Sequence, residues 1–389
     1  MNIEFSERLK QLPPYLFGEI DKAKKKAMDE GRPVIDLGVG DPDTPTPDII
    51  VKKLQEASTD PSTHKYALNK GLRSLRVAMA EWYKKRFGVI LDPDTEILPL
   101  MGSKDGIAHI PMAFVNPGDA VLASNPGYPP YISGAIFAGG EAHMLPLLKE
   151  NSFIPDLDRV DKSVAKRSKL MHINYPNNPT GAVCGKDFYA RTVEFAQKNG
   201  TIVCSDAAYT ELSYDGYNPP SFLEVPGAKE VGIEFHSLSK TFNMTGWRVG
   251  MAVGNAKVLE GLGNVKSNID SGIFTAVQVA SIEALKNSES IKARMNKVYT
   301  ERRDTLVDGL NRIGWIVDKP KAAFYVWAPV FGKYDSAALA KAMLEKADLI
   351  ITPGNGFGKY GEGYVRFALT VGVDKLKEAV ERIRRSFFV

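Results

Sequence analysis

Short apolar runs alternate with helix-length amphipathic stretches between about residues 70 and 285. The runs ILPL (97–100), AVLAS (120–124), AHMLPL (142–147), LMHIN (170–174), TIVCSD (201–206), IEFHSLS (233–239) and VGMAVG (249–254) read as seven strands. A helix is expected over Lys186–Asn199, with Phe188, Val193, Phe195 and Ala196 on its apolar face. Strands alternating with helices predict an α/β fold whose mostly parallel sheet is covered on both faces. After residue 285 the pattern changes. A long charged helix (Ile291–Ile313) leads into WIVDKP, AAFYVWAPV, a helix at Ser336–Lys346, a pairing of DLIITPG with YVRFALTV, and a last amphipathic helix. This predicts a large domain over 45–285 and a smaller α+β domain built from 286–389 together with 1–44. Neither an internal repeat nor a low-complexity segment interrupts the chain.

The 389 residues suffice for two domains, and 44% hydrophobic with 25% charged residues is ordinary globular composition. The net charge is only +4, and the longest basic run, Lys24-Lys25-Lys26, reads as a solvated helix face, so nucleic acid is not an expected partner. Two cysteines, Cys184 and Cys204, cannot build a disulfide framework. The polar amino terminus and the lack of a bilayer-length apolar run predict a cytoplasmic protein with no membrane partner.

Ligands of open α/β sheets bind beyond the carboxyl ends of the strands. Here those ends carry MGSKDG, NPGYPPY, NYPNNPTG, DAAY and SLSK. Turn chemistry explains any one of these loops; five on one rim point to a shared ligand site. Lys240 follows a strand, flanked by Ser237, Ser239 and Thr241, with Arg248 nearby. Hydroxyls, backbone N–H groups and a guanidinium make a phosphate cup. A lysine beside it can form a Schiff base once neighbouring cations and desolvation favour its neutral form. Asp206 ends an apolar strand and could either cap a following helix or hold a heterocyclic nitrogen protonated. Tyr209 could bond near the same ring. Asn178 could be a turn residue or a ligand contact, and Tyr128 could pack in its loop or stack on a flat ring.

The segment SLSKTFNMTGWRVG, together with NPTG and DAAY in the right order, closely resembles the marks of fold-type I aminotransferases, and the resemblance runs from VIDLGVGDPD to YVRFAL. It implies pyridoxal 5'-phosphate as cofactor and amino-acid and keto-acid substrates. It makes Lys240 the lysine that binds the cofactor, Asp206 the partner of the pyridine nitrogen, and Asn178 and Tyr209 donors to the phenolic oxygen. Tyr128 would stack on the ring, and Ser103, Lys104, Ser237, Ser239 and Arg248 would surround the phosphate. Tyr66 would reach the neighbouring subunit's cofactor, implying a homodimer. Arg366 would bind the substrate carboxylate, with Gly40 lining that pocket.

PPYLFGEI, GSKDGI, KTFNMTGWRVGMAVGN and SNIDSGIFTAVQ are similar to LL-diaminopimelate aminotransferases of lysine biosynthesis. That similarity adds Tyr15 and Lys104 as substrate contacts; Asn268, near a further phosphate contact of one branch, is left out. Aminotransferases for alanine, aspartate, methionine or aromatic amino acids, and a lyase on the same scaffold, stay open. A nucleotide-binding reading would rest on GNGFGKYGEG (354–363), which fits neither a phosphate-binding loop nor a dinucleotide fingerprint and reads as a flexible loop. The five histidines lack metal-ligand spacing, so no metal is expected.

Overall fold

The computed structural model describes residues 1, 3–13, 16–67 and 70–388. All seven apolar runs are strands: β1 (Ile97–Leu100), β2 (Ala120–Asn125), β3 (Glu141–Pro146), β4 (Ser168–Asn174), β5 (Ile202–Asp206), β6 (Gly232–Ser237) and β7 (Gly250–Gly254). They form one sheet in the order β1-β7-β6-β5-β4-β2-β3. β7 runs antiparallel to both neighbours, and the other pairs are parallel.

The period of two along each strand explains the unbroken apolar runs. Val121, Leu170, Cys204, Phe235 and Ala252 point to one face, under the helices Ser103–Phe114, Pro130–Ala138 and Ala256–Ser267. Leu122, Met171, Val203 and Met251 point to the other, with Met79, Tyr83, Phe188 and Val193 from the helices Arg73–Phe87 and Lys186–Asn199. Both faces are buried, so both strand parities must be apolar. The helix Lys186–Asn199 has the bounds expected from its pattern. Phe188, Val193 and Ala196 are buried, and Gly200 in the left-handed region (φ 67°) ends it.

Strand β6 is shorter than the apolar run that predicts it. Its pairing with β7 reaches Ser237↔Gly250, and the last bond joins the Leu238 N–H to the Val249 carbonyl at 3.2 Å. Arg248, at φ 57°, then turns its strand away. Without a partner, Leu238–Thr241 closes one helical turn, and this turn carries Ser239 and Lys240.

The later elements include the helix Ser288–Arg312 and an antiparallel three-stranded sheet, Thr352–Pro353, Tyr364–Ala368 and Tyr325–Pro329. Only Thr352–Pro353 of DLIITPG pairs with YVRFALTV; Leu349–Ile350 instead pairs in parallel with Ile35–Asp36. GNGFGKYGEG is a folded element, not a loose loop. Its two 3-10 turns dock on the end of β2, where the Tyr360 N–H donates to Asn125 Oδ1 at 3.1 Å and the Gly127 N–H to the Phe357 carbonyl at 2.9 Å. No helix among the described residues is long and apolar enough to cross a membrane.

Candidate active site

The carboxyl ends of β1, β2, β4, β5 and β6 lie on one rim. Because β7 runs the opposite way, its first residue, Gly250, lies opposite Leu100 and Ser237, which brings the preceding Arg248 to the same rim. A cavity of about 350 Å³ opens there. Gly40, Ser103, Lys104, Tyr128, Asn178, Asp206, Tyr209, Ser237, Ser239, Lys240, Arg248 and Arg366 all line it. Tyr66 does not; it stands 81% exposed on the surface. Tyr15 lies outside the described residues.

One end of the cavity suits an anion. The helix Ser103–Phe114 begins there, turning its first backbone N–H groups and the positive end of its dipole toward the space shared with Ser237 and Ser239. Gly102 beside it sits in the left-handed region (φ 81°) that favours glycine, and a Cβ there would also displace the Arg248 guanidinium. That guanidinium donates to the Thr245 carbonyl at 2.7 Å. A Cβ on Gly250 would come within 2.6 Å of the Ser103 nitrogen, so strand and helix start can meet only with glycine at that position.

The other end suits a cation on a flat ring. Asp206 is 5% exposed, accepts from the Tyr131 hydroxyl at 2.7 Å and from the Ala208 N–H at 3.2 Å, and caps no helix. Burial pushes its carboxyl up to about 6, against the Tyr131 and Ala208 hydrogen bonds and the nearby His236, which favour the charged form. Tyr131 is itself held by His172, stacked 5.0 Å away.

Lys240 lies between these ends. Its ammonium donates to the Gly40 carbonyl at 2.7 Å. Burial pulls its pKa down to about 8, helped by Arg366 and Arg248 and opposed by Asp41. The neutral amine that covalent or base chemistry needs is thus available near physiological pH.

Arg366 is 1% exposed and reaches the cavity from the antiparallel sheet. It donates to Asn178 Oδ1 at 2.7 Å and to the Gly38 carbonyl at 2.5 Å, and it packs on the Tyr325 ring with 4.2 Å between guanidinium and centroid. Asn178 is held in turn, its N–H donating to Asn174 Oδ1 at 2.7 Å. This end can clamp a carboxylate.

The cavity also contains Val39, Asp41, Asn174, Ala208, Thr245 and Tyr325, which sequence reasoning did not single out. Asn174 is the last residue of a strand, so the rim rule alone would have found it. Tyr325 and the supporting Tyr131 have no such local signal. Among the described residues no three His, Cys, Asp or Glu side chains converge to hold a metal ion.

The profile of the family aminotransferase class I and II matches residues 32–383. An LL-diaminopimelate aminotransferase from Syntrophobacter fumaroxidans is 55% identical over 383 residues, 98% of this chain and 99% of that protein. One from Aquifex aeolicus is 52% identical over 381 residues, 98% of each chain. The substrate-bound BacF structure from Bacillus subtilis superposes with a TM-score of 0.95 at 38% identity, covering 99% of this chain and 98% of that one. A Thermus thermophilus aspartate aminotransferase does so with a TM-score of 0.92 at 29% identity, covering 99% and 100%. A profile that spans most of the sequence, joined to full-length relatives of this identity, establishes that the chain belongs to the class I and II aminotransferases, enzymes that transfer amino groups.

Proposed function

We propose that this chain is a pyridoxal-phosphate-dependent LL-diaminopimelate aminotransferase, moving an amino group between LL-diaminopimelate or tetrahydrodipicolinate and glutamate or 2-oxoglutarate. The observation that carries the chemistry is the meeting of Lys240, Asp206 and Arg366 in one cavity beside a helix amino terminus. The substrate assignment draws on relatives of 50–55% identity over nearly the whole chain that bear that name.

The donor set fits the cofactor. Pyridoxal phosphate has a dianionic head, a ring nitrogen that takes a proton and a phenolic oxygen. Ser103, Lys104, Ser237, Ser239, Arg248 and the helix start answer the first, Asp206 the second, and Asn178 with Tyr209 the third. When bound, the cofactor supplies an electron-accepting ring that acidifies the α-carbon of an attached amino acid.

The chain's own residues do the rest. Asp206, ionised above about pH 6, holds a proton on the ring nitrogen. Tyr128, which lines the cavity, would cover a ring face. The Lys240 amine would hold the cofactor covalently and, once freed, would carry the α-proton as general base and acid. Arg366 holds the α-carboxylate beside Gly40, which fixes the α-carbon near Lys240. Lys104 and Tyr15 would meet the distal end of a long, doubly charged substrate. The exposed Tyr66 would complete the phosphate cup of a second copy in a homodimer.

The test is spectroscopic. The purified protein should show the visible band of lysine-bound cofactor, and LL-diaminopimelate alone should bleach it. A band that this amino acid leaves unmoved would remove diaminopimelate and keep the aminotransferase. The Lys240→Ala variant should lose the band and all turnover, and full turnover in it would overturn the assignment of the lysine.

A further inference from the structure

Tyr325, in the cavity wall, touches both Tyr209 and Arg366. It comes from the strand Tyr325–Pro329, whose register sets Tyr325 opposite Ala368 and Trp327 opposite Arg366. Residues two apart share a sheet face, so Tyr325 and Arg366 are diagonal neighbours. The Arg366 guanidinium therefore lies on the Tyr325 ring, 4.2 Å from its centroid. The hydroxyl of the same side chain meets the Tyr209 hydroxyl at 3.0 Å, across to the loop after β5. Both tyrosines are nearly fully buried. A Cβ on Gly40 would collide with the Tyr325 hydroxyl, so this crossing depends on glycine there.

We infer that Tyr325 is a positioning residue that ties the donor on the cofactor's phenolic oxygen to the clamp on the substrate's carboxylate. The inference rests on the aminotransferase reading of Tyr209 and Arg366. Each hydroxyl has one proton to donate. When Tyr209 gives its proton to the phenolic oxygen, the 3.0 Å bond can persist only if Tyr325 donates to Tyr209. That bond polarises Tyr209 and strengthens its donation to the negatively charged oxygen. The ring meanwhile fixes the plane of the Arg366 guanidinium, which lines the cavity, through a cation–π contact. The charges facing the tyrosine pair are Arg366, Asp206 and Asp41, with Lys240 lining the same cavity.

The two contacts belong to different atoms of one side chain, so two substitutions separate them. Tyr325→Phe keeps the ring over Arg366 and removes the bond to Tyr209. A phenolic oxygen with a weaker donor holds its proton more tightly. The pH at which the visible band of lysine-bound cofactor changes form should therefore rise by about half a unit. The same change should lower kcat about fivefold and leave KM for the amino donor within about twofold. Tyr325→Leu removes both contacts and should also raise KM about tenfold. In Tyr209→Phe, adding Tyr325→Phe should shift the band no further, because the Tyr325 hydroxyl acts through Tyr209, whose hydroxyl is already gone.

An unmoved band in Tyr325→Phe, or an additive shift in the double variant, overturns the inference. Because Phe is nearly isosteric, this holds even if the Leu variant fails to fold. The wild-type protein separates the two levels. No band and no bleaching in it sinks the functional reading itself, whereas a normal wild type with silent Tyr325 variants sinks only this inference.

Discussion

The two ends of the cavity are built by different means. At the Asp206 end the polar groups are buried and already paired through side chains from distant parts of the chain: Asp206 with Tyr131, Tyr209 with Tyr325, Asn178 with Arg366. At the end suited to an anion Lys104 and Arg248 are exposed, and the fixed components are a helix start, two serines and glycine-dependent turns. The buried end gains its strength from low dielectric and partners that need not move. The open end works through charge that stays partly hydrated and is therefore screened by salt. The cavity thus has one dry end and one wet end, and substitutions at the two should fail in different ways.

Asp206→Asn should give the largest effect and the sharpest contrast. Without the carboxylate the ring nitrogen loses its proton partner, and turnover should fall by about a thousandfold or more. Stability of the cofactor-free protein should move the other way. Burial raises the Asp206 pKa from 3.8 to about 6, so the folded chain holds that proton more tightly than the unfolded one. This contribution is fully present below about pH 4 and is lost as pH rises through 6. At pH 8 the wild type keeps a desolvated charge that asparagine lacks. The cofactor-free variant should then be more stable by about 1–3 kcal/mol, less whatever the hydrogen bond from Tyr131 or Ala208 loses. The gap should close by about pH 4, as thermal melts at the two pH values would read. A wild type at least as stable as the variant at pH 8 would contradict the view of a buried charge held at a cost for function.

Arg248→Ala probes the open end, with a smaller effect. Losing one charge-assisted contact to phosphate should weaken cofactor binding about ten- to a hundredfold, with kcat at saturating cofactor little changed. Since the interaction is hydrated, wild-type affinity should fall with added salt and the variant's should fall less steeply. Titrating cofactor at two ionic strengths decides it: equal salt slopes would mean that Arg248 holds the loop rather than the phosphate.

The same division separates what the sequence reveals from what it hides. The anion-suited end is written locally. SLSK and GSK each put several of its groups on one turn, and the rim rule collects the turns once the strands are placed. The seven strands are legible because a sheet buried on both faces needs apolar residues at both parities. The helix Lys186–Asn199 is legible to the residue because Gly200 caps it. The buried end depends on long-range pairs: Tyr131 and Asp206 are 75 residues apart, Tyr209 and Tyr325 are 116. No periodicity encodes these. The helical turn at Leu238–Thr241 escaped for a related reason, since IEFHSLS stops being a strand only where β7 leaves it. GNGFGKYGEG reads as loose from its glycines, yet Gly358 is where close approach to Asn125 requires one.

The smallest expected effect bears most directly on how the buried end works. In Tyr131→Phe the ring can keep its stacking on His172, so packing changes little, but Asp206 loses its 2.7 Å donor. That donor favours the charged carboxylate against the burial that opposes it, so the Asp206 pKa should rise above about 6. A carboxylate that binds a proton more readily leaves less of it on the ring nitrogen, and kcat should fall about three- to tenfold with KM unchanged. In the cofactor-free protein, the pH at which the decline of stability with rising pH levels off should move upward with the pKa. A merely structural tyrosine would lower the melting temperature at every pH and leave that point where it was. Finding this instead would mean that burial alone sets the charge on Asp206, and that the paired side chains around it hold shape without tuning it.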